Sequence, residues 1–240
     1  MRPTVDEPPA TTLAAFRLTD AAAQLAAITG ADPKEFTADR FRVRAYPIMT
    51  LIVSEGFFAN AVGVVEGMTE AGALWKISEV LGESWIRKGI VIIPAGGKTA
   101  IDKPLVIFHG FKIPTYVLFD GDKRHEGKPK EEEHTKKLNR HCLKVAGVPD
   151  AQLVDFPSLT ITESWGCFED TFEAHCQQEL GSATFEQYRK EVAEEFGYDR
   201  PAEAMKNFDV AAAFIERVYA AGHRLPKLEE IVKRISALAP

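Results

Sequence analysis

Three apolar runs, each closing in a polar turn that contains glycine and each followed by a helical pattern, constrain this chain more than any other feature. They are "AVGVVEG" at 61–67, "KGIVIIPAGGK" at 88–98 and "IPTYVLFDGDK" at 113–123. None alternates apolar with polar residues, so each reads as a strand covered on both faces. Between and after them lie "TEAGALWKISEVLG", a helix with Thr69 as cap and Gly82 as stop, "DKPLVIFHGF", opened by Asp102 and Pro104, and "EEEHTKKLNRHCLKVAG". "AQLVDF" at 151–156 reads as a short fourth strand. Strands alternating with helices predict an α/β fold, a parallel sheet flanked by helices, which gathers its functional groups beyond the carboxyl ends of the strands.

The flanking segments are helical. A run from Leu18, capped by Thr19 or Asp20, stops at Gly30, and "YPIMTLIVSEGFFAN" predicts a second helix with Pro47 in its first turn and Ile48, Leu51, Ile52, Phe57 and Phe58 as its apolar positions. After Glu163 strand signals stop, and helices are expected near 168–180, 182–196, 202–221 and 226–238. The expected organisation is an N-terminal helical or linker segment (1–55), a catalytic α/β domain (56–160) and a helical domain (161–240). No apolar run is long enough to span a membrane and "MRPTVDEPPATT" lacks the core of a secretion signal, so a cytoplasmic location is expected. Cys142, Cys167 and Cys176 form no C-x-x-C pair and read as packed thiols, and His175 beside Cys176 reads as a helix-face pair. Trp75, Trp85 and Trp165 read as packing residues.

The chemistry lies at the strand ends. The first strand delivers Glu66, with Glu70 one turn into the following helix, and the third delivers Asp120 and Asp122 around Gly121. Four carboxylates converging on one crevice stay ionised only with positive charge among them, and hard oxygen donors suit Mg²⁺ or Mn²⁺. A lone D-G-D is often only a turn. Its pairing with an apolar run ending in Glu-Gly, flanking a strand that ends in Gly-Gly-Lys, is more specific.

In "FFANAVGVVEGMTE", "VIIPAGGK" and "IPTYVLFDGDK" the sequence resembles the Toprim family, and within it the C-terminal nuclease region of OLD (overcoming lysogenization defect) proteins, well over residues 50–125. The resemblance implies a Toprim sheet followed by a helical domain and hydrolysis of DNA phosphodiesters by a two-metal mechanism. It adds Glu169 of "CFEDTFE" and Lys227 of "RLPKLEE" to the site, where Glu173 and Lys233 are the positions most easily confused with them. The implied metal ligands are Glu66, Glu70, Asp120, Asp122 and Glu169, with Asp120 bridging, and Lys227 is the implied cation for the transition state. Gly63 departs from the pattern inside the first strand, where it could loosen packing. OLD-type proteins carry an upstream ATPase domain that nothing in this sequence resembles, so the chain is expected to be a nuclease portion or a standalone version, with a homodimer open as its assembly.

Rival readings are weaker. Gly97-Lys98-Thr99 ends like a Walker A motif, but Ile92 stands where its first glycine belongs, leaving Lys98 to face solvent or meet a phosphate. An aspartyl-phosphate phosphatase leaves Glu66 without a role. A non-catalytic Toprim module that binds DNA or a partner remains the alternative from another class. The net charge of −6 excludes coating of nucleic acid by bulk positive charge. Between Lys123 and Lys144 eight Lys/Arg stand against four Glu, a strip that reads first as a solvated helix face.

Overall fold

The computed structural model describes residues 15–32, 34 and 36–240; the N-terminal stretch read above as lacking a secretion signal lies outside them. Its centre is a five-stranded sheet of β1 (Ala61–Val65), β2 (Ile90–Pro94), β3 (Thr115–Asp120), β4 (Thr160–Ile161) and β5 (Trp165–Phe168), in the order β2-β1-β3-β5-β4. Only the β4–β5 pairing is antiparallel. All five residues of β1 are buried, as a doubly covered strand requires. Val62, Val64, Val117 and Phe119 face one core with Leu105, Phe108 and Leu143. Ala61, Val65, Tyr116 and Leu118 face the other, with Leu74, Phe214 and Ile235.

Crossover helices connect the strands: α4 (Met68–Val80) and α5 (Trp85–Lys88) after β1, α6 (Asp102–Gly110) after β2, and α7 (Pro129–Val145) after β3. Ahead of the sheet lie α1 (Leu18–Thr29), α2 (Ala38–Ala45) and α3 (Leu51–Glu55). Ala21, Ala22 and Leu25 of α1 and Phe41 of α2 pack on Val106 and Ile107 of α6. Behind it come α8 (Phe172–Leu180), α9 (Ser182–Glu195), α10 (Pro201–Ala204), α11 (Phe208–Ala220) and α12 (Pro226–Ser236).

The structure corrects several expectations. Residues 151–156 are not a strand: a single 3₁₀ turn at Asp150–Gln152 leads into irregular chain whose Asp155 carbonyl accepts a hydrogen bond from Asn139. The fourth parallel strand is β5, beyond the point where strand signals were thought to end, so the boundary expected at 160/161 falls inside the sheet. Four residues interrupted by Gly166 give too short a pattern to read, and that glycine is required because a Cβ there would lie 2.7 Å from the Tyr116 hydroxyl. The C-terminal helices share one core with the sheet, since Ala211, Phe214, Leu228 and Ile235 cluster with Val65, Tyr116 and Phe168.

Near the N-terminus, α2 ends before Pro47, and the expected second helix is only α3, started by Thr50, which accepts from the Val53 N–H. Leu51 and Phe58 are 88% and 91% exposed, which leaves that apolar pattern without a core to face. The cap of α1 is Arg17 and that of α4 is Gly67; Thr69 instead donates from Oγ1 to the Met205 carbonyl at 2.8 Å. Gly63 does not loosen β1. A Cβ on it would come within 2.6 Å of Ile92 and 3.4 Å of Ile235, so the missing side chain lets α12 close on the sheet.

Candidate functional site

The carboxyl ends of β1 and β3 lie side by side, and the backbone aims the acids that follow them. Glu66 reaches across so that its Oε1 accepts from the Asp120 N–H at 2.8 Å, while its own carbonyl accepts from both Gly96 and Gly97. Glu70 turns back on its helix and its Oε2 accepts from the Gly67 N–H at 3.1 Å, a cap that also fixes the carboxylate at the crevice. Asp120 accepts from the Phe172 N–H at 3.1 Å, joining β3 to the start of α8. Asp122 adopts a left-handed backbone (φ 53°), and the preceding Gly121 lets the turn pack closely, since a Cβ there would strike the carbonyls of Phe168 and Glu169. The four acids read from the two strand ends are thus brought to one crevice.

Their positive partner within the chain is Lys98. Its side chain, only 5% exposed, places Nζ 2.6 Å from Asp122 Oδ2, 3.0 Å from Asn139 Oδ1 and 4.0 Å from Glu66 Oε1. Burial works to lower the pKa of this ammonium, but the charges of Glu66 and Asp122 outweigh it and hold the pKa above its ordinary value. Asn139 is itself fixed, its amide donating to the carbonyls of Gly121 and Asp155. Arg124 takes the other oxygen of Asp122 at 2.6 Å and also pairs with Asp170 at 3.0 Å.

On the far side of the crevice no cation intervenes among the described residues. Burial, then the charges of Glu66, Glu70, Glu173 and Asp122, push the Asp120 carboxyl well above the usual range. Burial raises Glu70 to about 7, with Glu173 and Glu66 adding to the shift. Glu66 is raised as well, burial outweighing the attraction of Lys98.

Of the two acids at the start of α8, Glu173 is the one that acts on the cluster. The Glu169 side chain, half exposed, turns away to pair with Lys123 at 2.8 Å, and only its backbone approaches the crevice. The structure thus leaves the Glu169 side chain outside the cluster of acids. The resemblance points to Glu169 by position, with Glu173 as the residue most easily confused with it, and the helix expected from about 168 begins at Phe172. Lys227 pairs with Glu230 at 3.0 Å on the exposed start of α12, its N–H donating to Glu179, and no contact joins its ammonium to the acids. Lys98, Asn139 and Arg124 were missed as site members; only the Gly-Gly-Lys strand end could have pointed to the first.

Residues 57–122 match the family model described as overcoming lysogenization defect protein-like, TOPRIM domain. Over these residues the chain is similar to an OLD-like Toprim domain. The fold agrees beyond that segment. The C-terminal region of the Xanthomonas campestris pv. campestris OLD protein superposes with a TM-score of 0.54 at 20% identity, covering 77% of this chain and 96% of that one. The C-terminal region of the Burkholderia pseudomallei OLD protein gives 0.53 at 19%, covering 76% and 100%. No curated protein matches the sequence.

Toprim domains bind divalent metal ions. The donor chemistry of Asp120, Glu70 and Glu173 fits such an ion, since these are oxygen donors crowded together without a cation of their own. Asp122 fits less well, because both of its oxygens are already engaged. Among the described residues no three carboxylate, imidazole or thiol groups stand close enough together to hold a metal as they are placed. No described helix is long and apolar enough to cross a membrane.

Proposed function

We propose that this chain hydrolyses phosphodiester bonds in DNA with the help of Mg²⁺ or Mn²⁺. The observation that carries the reading is the unbalanced side of the crevice, where Asp120 and Glu70 are buried beside Glu173 with no cation paired to them among the described residues, so that burial first, and then the neighbouring negative charges, raise the pKa values of both. Structural carboxylates are seldom placed so unfavourably, and such perturbation marks functional sites. A bound divalent ion would neutralise the scissile phosphate and lower the pKa of an attacking water. Asp120, Glu70 and Glu173 would hold it, with Glu66 oriented toward it by the Asp120 N–H. Engaging Asp122, and with it a second ion, requires release of Lys98 or Arg124, whose charges are then free to meet phosphate oxygens. The non-catalytic alternative draws on this same double pairing of Asp122.

Incubating the purified chain with plasmid DNA and each metal, with chelator as control, separates the two. Nicking that requires metal and disappears in Asp120→Ala is the expected result. Intact plasmid under every metal, with DNA still bound, would establish the binding module instead.

A further inference from the structure

A second recessed feature lies against α7. Helices α1 and α2 and the chain between them stand off α7 to leave a cleft of about 730 Å³, whose walls include Phe36, Arg44, Lys137, Arg140, His141 and Lys144. The volume lies within the ~300–1,000 Å³ range of sites that enclose a small ligand. Apolar surface from Ile28, Leu138 and Leu153 lines it as well.

The charge of this cleft is not spent internally. Its buried acid, Asp102, is satisfied by Lys103 at 2.9 Å and His141 at 3.2 Å. Lys144 pairs with Asp150, but that aspartate is 80% exposed, and such surface pairs hold weakly. Arg140 pairs with Asp155 in the same exposed manner. Lys137 and Arg44 have no carboxylate partner among the described residues. Arg44 instead lays its guanidinium over the Phe36 ring, 5.4 Å from the centroid. A chain of net charge −6 thus gathers four Lys/Arg at a recessed, partly aromatic surface, of which Lys137 and Arg44 have no carboxylate partner among the described residues.

The cleft also adjoins the crevice. Thr99 on its wall follows Lys98, and Arg140 follows Asn139, so neighbouring residues face the two sites.

We infer that this cleft is a binding track for a single nucleic-acid strand flanking the bond that is cut, with Lys137 and Lys144 meeting phosphates and the Arg44–Phe36 pair stacking a base. The inference rests on the nuclease reading for the identity of the strand. Cations tracking the backbone beside a planar stacking surface are how unpaired strands are held without sequence preference. A duplex keeps its bases stacked inside and presents none to lie against Arg44.

The test is an Arg44→Ala/Lys137→Ala double variant, both positions being exposed and neither making an ion pair with the acids of the crevice among the described residues. Binding of a fluorescent oligothymidylate is measured by anisotropy in chelator, across a salt series, with melting temperature as the folding control. At an unchanged melting temperature the expected result is affinity about tenfold weaker at low salt, and a log–log salt slope reduced by about 0.7 for each phosphate that the variant no longer neutralises. Wild-type affinity and slope in the variant would overturn the inference, as would competition by free thymidine monophosphate as effective as by the strand. Wild type that binds the strand through this cleft yet cuts no DNA would sink the nuclease reading alone. Wild type that cuts DNA while the double variant binds normally would sink only the track.

Discussion

The Lys98 ammonium sits 2.6 Å from Asp122 and 4.0 Å from Glu66, joining the two strand ends that deliver the acids. Removing it leaves Glu66 without its nearest cation and Asp122 held by Arg124 alone. Loss of one partner from a buried pair costs about 3–5 kcal/mol. With Arg124 remaining, Lys98→Met should lose about 3 kcal/mol in chelator, a drop of ~6–12 °C for a chain of this size. Added Mn²⁺ should restore part of it, replacing the lost charge. Melting curves with and without metal check both; an unchanged melting temperature in chelator would remove Lys98 from the stabilising network.

Glu70 gives the metal-free protein a pH dependence of definite sign. Its folded pKa of about 7 lies above the ordinary 4.5, so between those values the folded state binds more protons than the unfolded one. Its contribution is fully present at low pH and is lost as pH rises through about 7. A tenfold difference in proton affinity between the two states is worth about 1.4 kcal/mol, which puts the loss at about 3 kcal/mol. Denaturant unfolding in chelator, at about pH 5 and about pH 8, should show wild type losing about 2–3 kcal/mol relative to Glu70→Gln. Parallel profiles would show that Glu70 is not perturbed.

Two glutamates four residues apart should behave differently. Glu173→Gln should weaken Mn²⁺ binding and metal-dependent cleavage by about tenfold or more, the size found when a group supporting a metal site is lost. Glu169→Gln breaks only an exposed pair with Lys123 and should stay within about twofold. Titration calorimetry with Mn²⁺ reads the contrast without relying on activity. Equal losses would return Glu169 to the site.

Lys227→Ala tests the cation implied by resemblance. Because its ammonium is half exposed and paired with Glu230, single-turnover cleavage should change by no more than about threefold. A fall of about a hundredfold, typical of losing a preorganised electrostatic donor, would place it at the transition state.

Gly72→Ala examines how the C-terminal helices are joined to the sheet layer. A Cβ there would lie 2.2 Å from the Phe208 carbonyl, where α4 crosses the start of α11. Alanine's better helix propensity offers at most about 1 kcal/mol, while forcing backbone apart costs about 1–3 kcal/mol. The variant should be destabilised by about 1–2 kcal/mol net, read from the denaturation midpoint.

The three long strands were legible because each is a largely apolar run that is mostly buried, β1 wholly so, and the acids could be placed because a parallel sheet aims every strand end the same way. Glu66, Glu70, Asp120 and Asp122 followed from that geometry. Glu173 was obscured because choosing between it and Glu169 needs the first residue of α8 to within a turn. Lys98 could be read only as facing solvent or meeting a phosphate, since a lone charge after two glycines carries no periodic signal; only the fold brings Asp122 and Asn139 to it. β5 was invisible for a related reason, its pairing being specified by Tyr116 and Leu118 on another strand rather than by its own four residues.

That late strand decides where the gene can be cut. β5 hydrogen-bonds the length of β3 from Val117 to Asp120, although more than forty residues separate the two strands. A truncation at 160, between what the sequence presents as two domains, would strip one side of β3 and leave a straight, apolar row of unpaired backbone groups open to any other chain. Such a fragment would assemble into intermolecular sheet rather than yield a smaller folded unit.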